Sequence, residues 1–165
     1  MQAHELFLKM GAEKARDILM YFRESERNLY KTAIATLAER KKLRPVFVLQ
    51  KSVPDQITWI TRELTSKRSE GAAEQLLQVW LLQARQSILI KFLDGMGIPH
   101  DGKGAVDDLP DTLDADKIGP TIDALTAEFD PLEVAIYLHI FQAQTSTGWP
   151  ELAKVLAGDE RLAIG

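Results

Sequence analysis

The side chains with which this chain could do chemistry gather between His100 and Asp116. His100, Asp101, Asp107, Asp108, Asp111, Asp114 and Asp116 bring carboxylate oxygens and one imidazole into a single stretch, a hard donor set that suits a divalent cation. His100, Asp101, Asp107 and Asp108 are therefore the candidate metal ligands. Their spacing is not that of a calcium-binding helix-loop-helix, which needs acids at alternate positions, then a glycine and a distal glutamate. From Asp101 onward the chain offers Lys103, Ala105 and Val106 instead. The weightier alternative is a solvated turn, in which Asp101, Gly102, Lys103 and Gly104 satisfy turn geometry and the later aspartates cap the next helix.

A second set is basic. Arg40, Lys41, Lys42 and Arg44 form the densest cationic cluster of the sequence. Such a cluster could meet phosphates, yet no aromatic residue is interleaved for base stacking and the chain is acidic, with a pI near 5.4. Cations in the last turn of a helix also complement its negative end. Nucleic-acid binding is thus not expected, and Arg40, Lys41, Lys42 and Arg44 stand as candidate contacts to an acidic protein surface. Arg85, the sole arginine in an otherwise apolar helical middle, needs a carboxylate or carbonyl partner or must run its stem to the surface. It is expected to pair with an acid of another helix, a ligand carboxylate being the alternative.

Other chemistry is poorly served. His4, His100 and His139 form no dyad at a revealing spacing, and His139 reads as structural. Ser52, Ser66, Ser69 and Ser87 have no nucleophile-elbow context. The glycine pairs at 95/97 and 102/104 lack the strand and helix that a phosphate-cradling loop requires. No cysteine occurs, which excludes thiolate sites and disulfides and agrees with a reducing cytoplasm. No cofactor is expected.

The elements that must position these residues are helical. At 165 residues with 45% hydrophobic and 27% charged side chains, the chain can bury a sizeable core without a metal or disulfide. Its net charge of −4 conceals an asymmetry: residues 1–70 hold 14 Lys+Arg against 9 Asp+Glu, and residues 71–165 hold 6 against 15. The first expectation is that the two halves pack together with opposite fields, with self-association by the same complementarity and then nucleic-acid binding by the basic half as the alternatives. The early glutamates and the lack of a long uncharged apolar run argue against a secretory signal or anchor near the start, so the expected address is cytoplasmic, with no membrane span.

Residues 72–96 are apolar in nearly every direction on a helical projection, which predicts a central helix surrounded by neighbours. Ahead of it, Leu6, Phe7 and Met10 mark a short amphipathic start. Residues 12–42 read as one long helix, the alternative being two helices joined in the charged run 23–28. Val46–Leu49 is expected as a buried helical turn, and Ser52, Pro54 and Asp55 as a helix start. Residues 98–119 are the longest irregular stretch, with a helical turn near 114–118 and Pro120 opening a helix toward Phe129. Asp130, Pro131 and Glu133 cap another helix, and Pro150 begins a last one.

The expected fold is therefore all-α, a single-domain bundle (1–165) of six to eight helices around residues 72–96, with a subdivision at 65–71 as the alternative. The expected function is non-enzymatic, a protein-protein interaction or self-associating module, homodimer included, in which the basic half meets an acidic surface. Catalytic activity is left open: the competing expectation is a small-ligand or metal-dependent enzyme with its pocket between the central helix and the loop from Ile98, served by His100, Asp101 and Arg85.

Overall fold

Capping residues set where the helices begin. In the computed structural model, which describes all residues Met1–Gly165, Ser52 Oγ accepts from Asp55 N–H, Asp114 Oδ1 from Asp116 N–H and Asp130 Oδ1 from Leu132 N–H. Each satisfies a donor that a helix start leaves unpaired. Ten α-helices result: α1 Ala3–Lys9, α2 Ala12–Ser25, α3 Arg27–Arg40, α4 Pro45–Leu49, α5 Val53–Leu64, α6 Glu70–Ala84, α7 Gln86–Met96, α8 Ala115–Glu128, α9 Pro131–Gln142 and α10 Pro150–Gly158. Two short 3-10 turns, Lys67–Ser69 and Glu160–Leu162, complete the regular structure. The fold is all-α, without a strand, and no helix is long and apolar enough to cross a membrane.

Two stretches expected as continuous helices are interrupted, which accounts for ten helices in place of six to eight. Residues 12–42 break at Glu26, whose φ of −135° and ψ of 62° separate α2 from α3; the charged run is a junction. Residues 72–96 break at Arg85, with φ −133° and ψ 30°. Neither break carries Gly or Pro. Each half of the second stretch has an ordinary one-sided face: Ala73, Leu76, Leu77, Trp80 and Leu81 in α6, and Ile88, Leu89, Phe92, Leu93 and Met96 in α7. At 3.6 residues per turn these two faces lie roughly a third of a turn out of phase. Read as one helix they sum to an apolar surface on all sides; read as two, each buries one face.

The chain divides into two packed units at Trp80/Leu81, terminal residues aside. The polar run 65–71 lies inside the first. That unit, Ala3–Trp80, packs α2 against α3 and α5, α3 against α4 and α5, and α1 against α5. Phe7, Ile18, Leu19, Phe22, Ile34, Leu37 and Ile60 are its buried core. Glu70 accepts hydrogen bonds from the Ala3 and His4 backbone N–H groups at 2.8 Å and from His4 Nδ1 at 2.6 Å, so α1 is capped from outside itself.

The second unit, Leu81–Ile164, packs α7 along α8, with α9 against α7, α8 and α10. The approach of α7 to α8 is close because position 95 is glycine: a Cβ there would lie 2.7 Å from Thr121 Oγ1. An aromatic run fills the core, Phe92 edge-on to Phe141 at 5.0 Å and Phe141 stacked on Trp149 at 4.6 Å. Pro120, expected to open a helix, sits inside α8, where it forgoes the bond to the Asp116 carbonyl.

Candidate functional site

The first unit presents an apolar surface edged by cations, and its construction can be followed residue by residue. α3 ends in two reciprocal bonds, Leu43 N–H to the Ala38 carbonyl at 2.8 Å and Lys42 N–H to the Glu39 carbonyl at 3.1 Å, the pattern of a Schellman end. That geometry needs left-handed angles at the residue after the cap, and the residue there is Lys42, with φ 55°. Arg44 is then extended, with ψ 143°, as a residue before proline should be, and Pro45 opens α4. Five residues make little more than one turn, so only one side chain of this helix points inward. Val48 is fully buried. The expectation of a buried turn at 46–49 is right about the helix and wrong about the burial.

The outward side chains are large and apolar. Leu43 is 39% exposed, Val46 49%, Phe47 53% and Leu49 48%. Single exposed apolar residues are ordinary, but four within seven positions form a patch of the kind that marks an interaction site. α4 is held rigidly beneath. Gln56 on α5, itself buried, donates from Nε2 to the carbonyls of Leu49 and Lys51 at 3.2 and 2.9 Å. Tyr30 on α3 donates its hydroxyl to Gln56 Oε1 at 2.8 Å. Burial raises the Tyr30 phenol above its ordinary value, against the opposing charge of Arg23. The patch therefore stands on a satisfied hydrogen-bond chain between two helices.

The cations divide by task. Arg40 lies 3.7 Å from Glu63, which also takes Arg68 at 3.0 Å and Ser69 Oγ at 3.0 Å. Burial alone would raise the Glu63 carboxyl, but the bonds from Arg68 and Ser69 and the charges of Arg68 and Arg40 hold it below its usual value. Arg40 is thus tied into the fold. Lys41 and Lys51 place their ammonium groups 4.4 and 4.3 Å from the centroid of Trp59, within cation-π range. The side chains of Lys42 and Arg44 make no hydrogen bond or ion pair in the structure. Sequence reasoning named Arg40, Lys41, Lys42 and Arg44 but missed Leu43, Val46, Phe47, Leu49, Lys51 and Trp59. The available signal was a proline-led apolar tetrad directly after the basic cluster, on a helix too short to bury it.

The other candidates are placed differently. Arg85 Nε and Nη2 donate to the two oxygens of Glu133 at 2.6 and 3.0 Å, and Nη1 to the Ala84 carbonyl at 2.9 Å, so it pairs with an acid of another helix and closes the end of α6. The loop acids do not converge. No three or more His, Asp or Glu side chains are placed to hold a metal ion together, so His100, Asp101, Asp107 and Asp108 are not brought into one cluster. The physical reason is local bonding. His100 Nε2 meets Asp94 Oδ1 at 2.8 Å while its Nδ1 accepts from Gly102 N–H, and Asp101 Oδ1 accepts from the N–H groups of Lys103 and Ala105 at 2.7 and 3.1 Å. Those two bonds hold the Asp101 carboxyl below its usual value. A cleft of about 330 Å³ does open beside Ile98, yet its lining of Met96–Pro99, Asp108, Pro110 and Thr112–Asp114 includes neither His100, Asp101 nor Arg85. Compared with known proteins, the chain matches no family model, no curated relative and no solved structure.

Proposed function

We propose that this chain is a non-enzymatic docking module whose first unit binds an acidic protein surface through Leu43, Val46, Phe47 and Leu49, with Lys42 and Arg44 supplying charge. One observation carries the reading: four large apolar side chains, 39–53% exposed within seven positions, edged by two cations that no group in the fold engages. Interfaces of this kind draw affinity from buried aromatic and aliphatic anchors and draw orientation and association rate from the charged rim. The rigid support under α4 favours binding with little rearrangement.

Trp59 is a built-in reporter, since Trp80 and Trp149 are buried while Trp59 is only half-buried between Lys41 and Lys51. Titration with a synthetic acidic amphipathic peptide rich in Glu, Leu and Phe should change Trp59 emission, and the affinity should fall as salt rises. Lys42→Glu with Arg44→Glu should weaken it by at least roughly tenfold. Unchanged emission, or equal binding by the double variant, removes the proposal. Vesicles containing phosphatidylglycerol are the control: capture by vesicles and not by the peptide would reassign this face to an anionic lipid surface.

A further inference from the structure

The acidic surface that complements this face lies on the same polypeptide. The first unit, Ala3–Trp80, carries 14 Lys+Arg against 10 Asp+Glu, a net +4; the second, Leu81–Ile164, carries 6 against 14, a net −8. Within the second unit the loop between α7 and α8 is the densest acidic surface. Asp107, Asp108 and Asp111 are exposed, and their side chains make no hydrogen bond or ion pair. The loop is firmly held nonetheless. Trp149 Nε1 donates to the Pro110 carbonyl at 2.8 Å, Ile98 and Leu113 are buried, and Gly104 packs so tightly on Leu89 that a Cβ there would lie 2.7 Å from the Leu89 Cβ. Beside these carboxylates is the cleft of about 330 Å³, with Met96, Pro99, Pro110 and Leu113 as apolar wall and Asp108 and Asp114 among its lining residues. A cavity of about 150 Å³ is enough for benzene, so the cleft has room for one phenyl ring.

We infer that the occupant of the Leu43–Leu49 face is a second copy of this chain, which offers its loop over residues 98–114, with Phe47 of one copy seated in the cleft beside Asp108 of the next. This rests on the docking reading above and names its partner. The two surfaces match in three respects. One projects an aromatic side chain and the other is hollow; one holds cations unengaged by its own fold and the other unengaged carboxylates; and both are rigidly supported, so little order is lost on contact. Because the two surfaces differ, the contact is heterologous, and each copy keeps one free face after pairing. Association continues until a ring closes or a chain grows.

Light scattering across protein concentration tests this on the full chain. The mass of the native protein should rise above that of the monomer with concentration and return to it as salt is raised. Phe47→Asp, and separately Lys42→Glu with Arg44→Glu, remove one face. Asp107→Lys with Asp108→Lys, and separately Asp111→Lys, remove the other. All are exposed positions, and each variant alone should associate roughly thirtyfold more weakly or worse. A mixture of one variant of each kind restores a single competent contact, and should yield a 1:1 dimer and nothing larger. Native protein that stays monomeric at every concentration, or a mixture that forms no dimer, overturns the inference. If the acidic peptide still binds in that case, only the identity of the partner falls; if it does not, the docking reading falls too.

Discussion

Lys42 occupies a left-handed position after a helix cap that is usually glycine. Left-handed angles cost a residue with a Cβ about 1 kcal/mol or more, and the Schellman end of α3 imposes them here through the Leu43–Ala38 and Lys42–Glu39 bonds. Glycine relieves that strain but loses more chain freedom on folding, so Lys42→Gly should stabilise the protein by a net of about 0.5 kcal/mol. Denaturant unfolding measures it. The same variant should bind the acidic peptide several-fold less well, because the ammonium group is gone while the backbone is undisturbed. Gain of stability with loss of binding is the pattern of a residue kept for contact. Loss of stability would mean that the Lys42 side chain supports the fold. Arg85 shows the opposite economy: its need for a carboxylate partner was legible because an arginine amid apolar neighbours must be satisfied, and Glu133 supplies both oxygens. What was not legible is which acid, since 48 positions separate the pair.

At the scale of elements, starts were legible and interruptions were not. Ser52 and Asp130 cap α5 and α9 as their sequences require, because a cap is a local bond between residues two or three apart. The break at Glu26 falls in the charged run 23–28, which allowed one helix or two; the break at Arg85 is marked by neither Gly nor Pro, and an apolar run does not state what packs on it. The exposure of α4 was missed for a related reason, since a run such as Val46–Leu49 states hydrophobicity and leaves open whether anything covers it. α1 gives the element scale its own test. Its first N–H groups are satisfied by Glu70 rather than by a local cap. Burial alone would raise the Glu70 carboxyl, but the bonds from His4 and Ala3 hold it below its ordinary value of 4.5. A carboxyl with a depressed folded value stabilises the fold fully above its unfolded value, and that contribution is lost as the pH falls through the folded one. Docking of α1 should therefore be intact at neutral pH and loosen in acid below the ordinary carboxylate range. Hydrogen exchange of the α1 amides should speed up there before those of α3 do. Glu70→Gln should cost about 1 kcal/mol at neutral pH and flatten this dependence; α1 amides that respond to acid as strongly in the variant as in the native chain would assign the effect elsewhere.

For the whole molecule the decisive quantity is charge separation rather than net charge. The asymmetry was legible by counting, and the division at Trp80/Leu81 sharpens it to +4 and −8. Two copies, each at −4 near neutral pH, repel at long range, and the proposed pairing of the Leu43–Leu49 face with the 98–114 loop would have to act at short range against that repulsion. As the pH falls toward the pI near 5.4, the net repulsion vanishes. Lysines and arginines remain charged, and aspartates as a class keep their charge until about pH 4. Head-to-tail association should therefore strengthen from alkaline pH down to the region of the pI, then weaken as carboxylates protonate. Simple isoelectric aggregation also peaks there, and the two part company at the anchor residue. Salt weakens both, since each draws on attraction between opposite charges that ions screen. Phe47→Asp, which changes net charge by only one unit, should abolish the peak, since the anchor is lost while the protein-wide titration hardly moves. Light scattering against pH, on the native chain and on Phe47→Asp, separates these outcomes. A peak that survives the substitution would mean that the proposed pairing plays no part in bringing copies together.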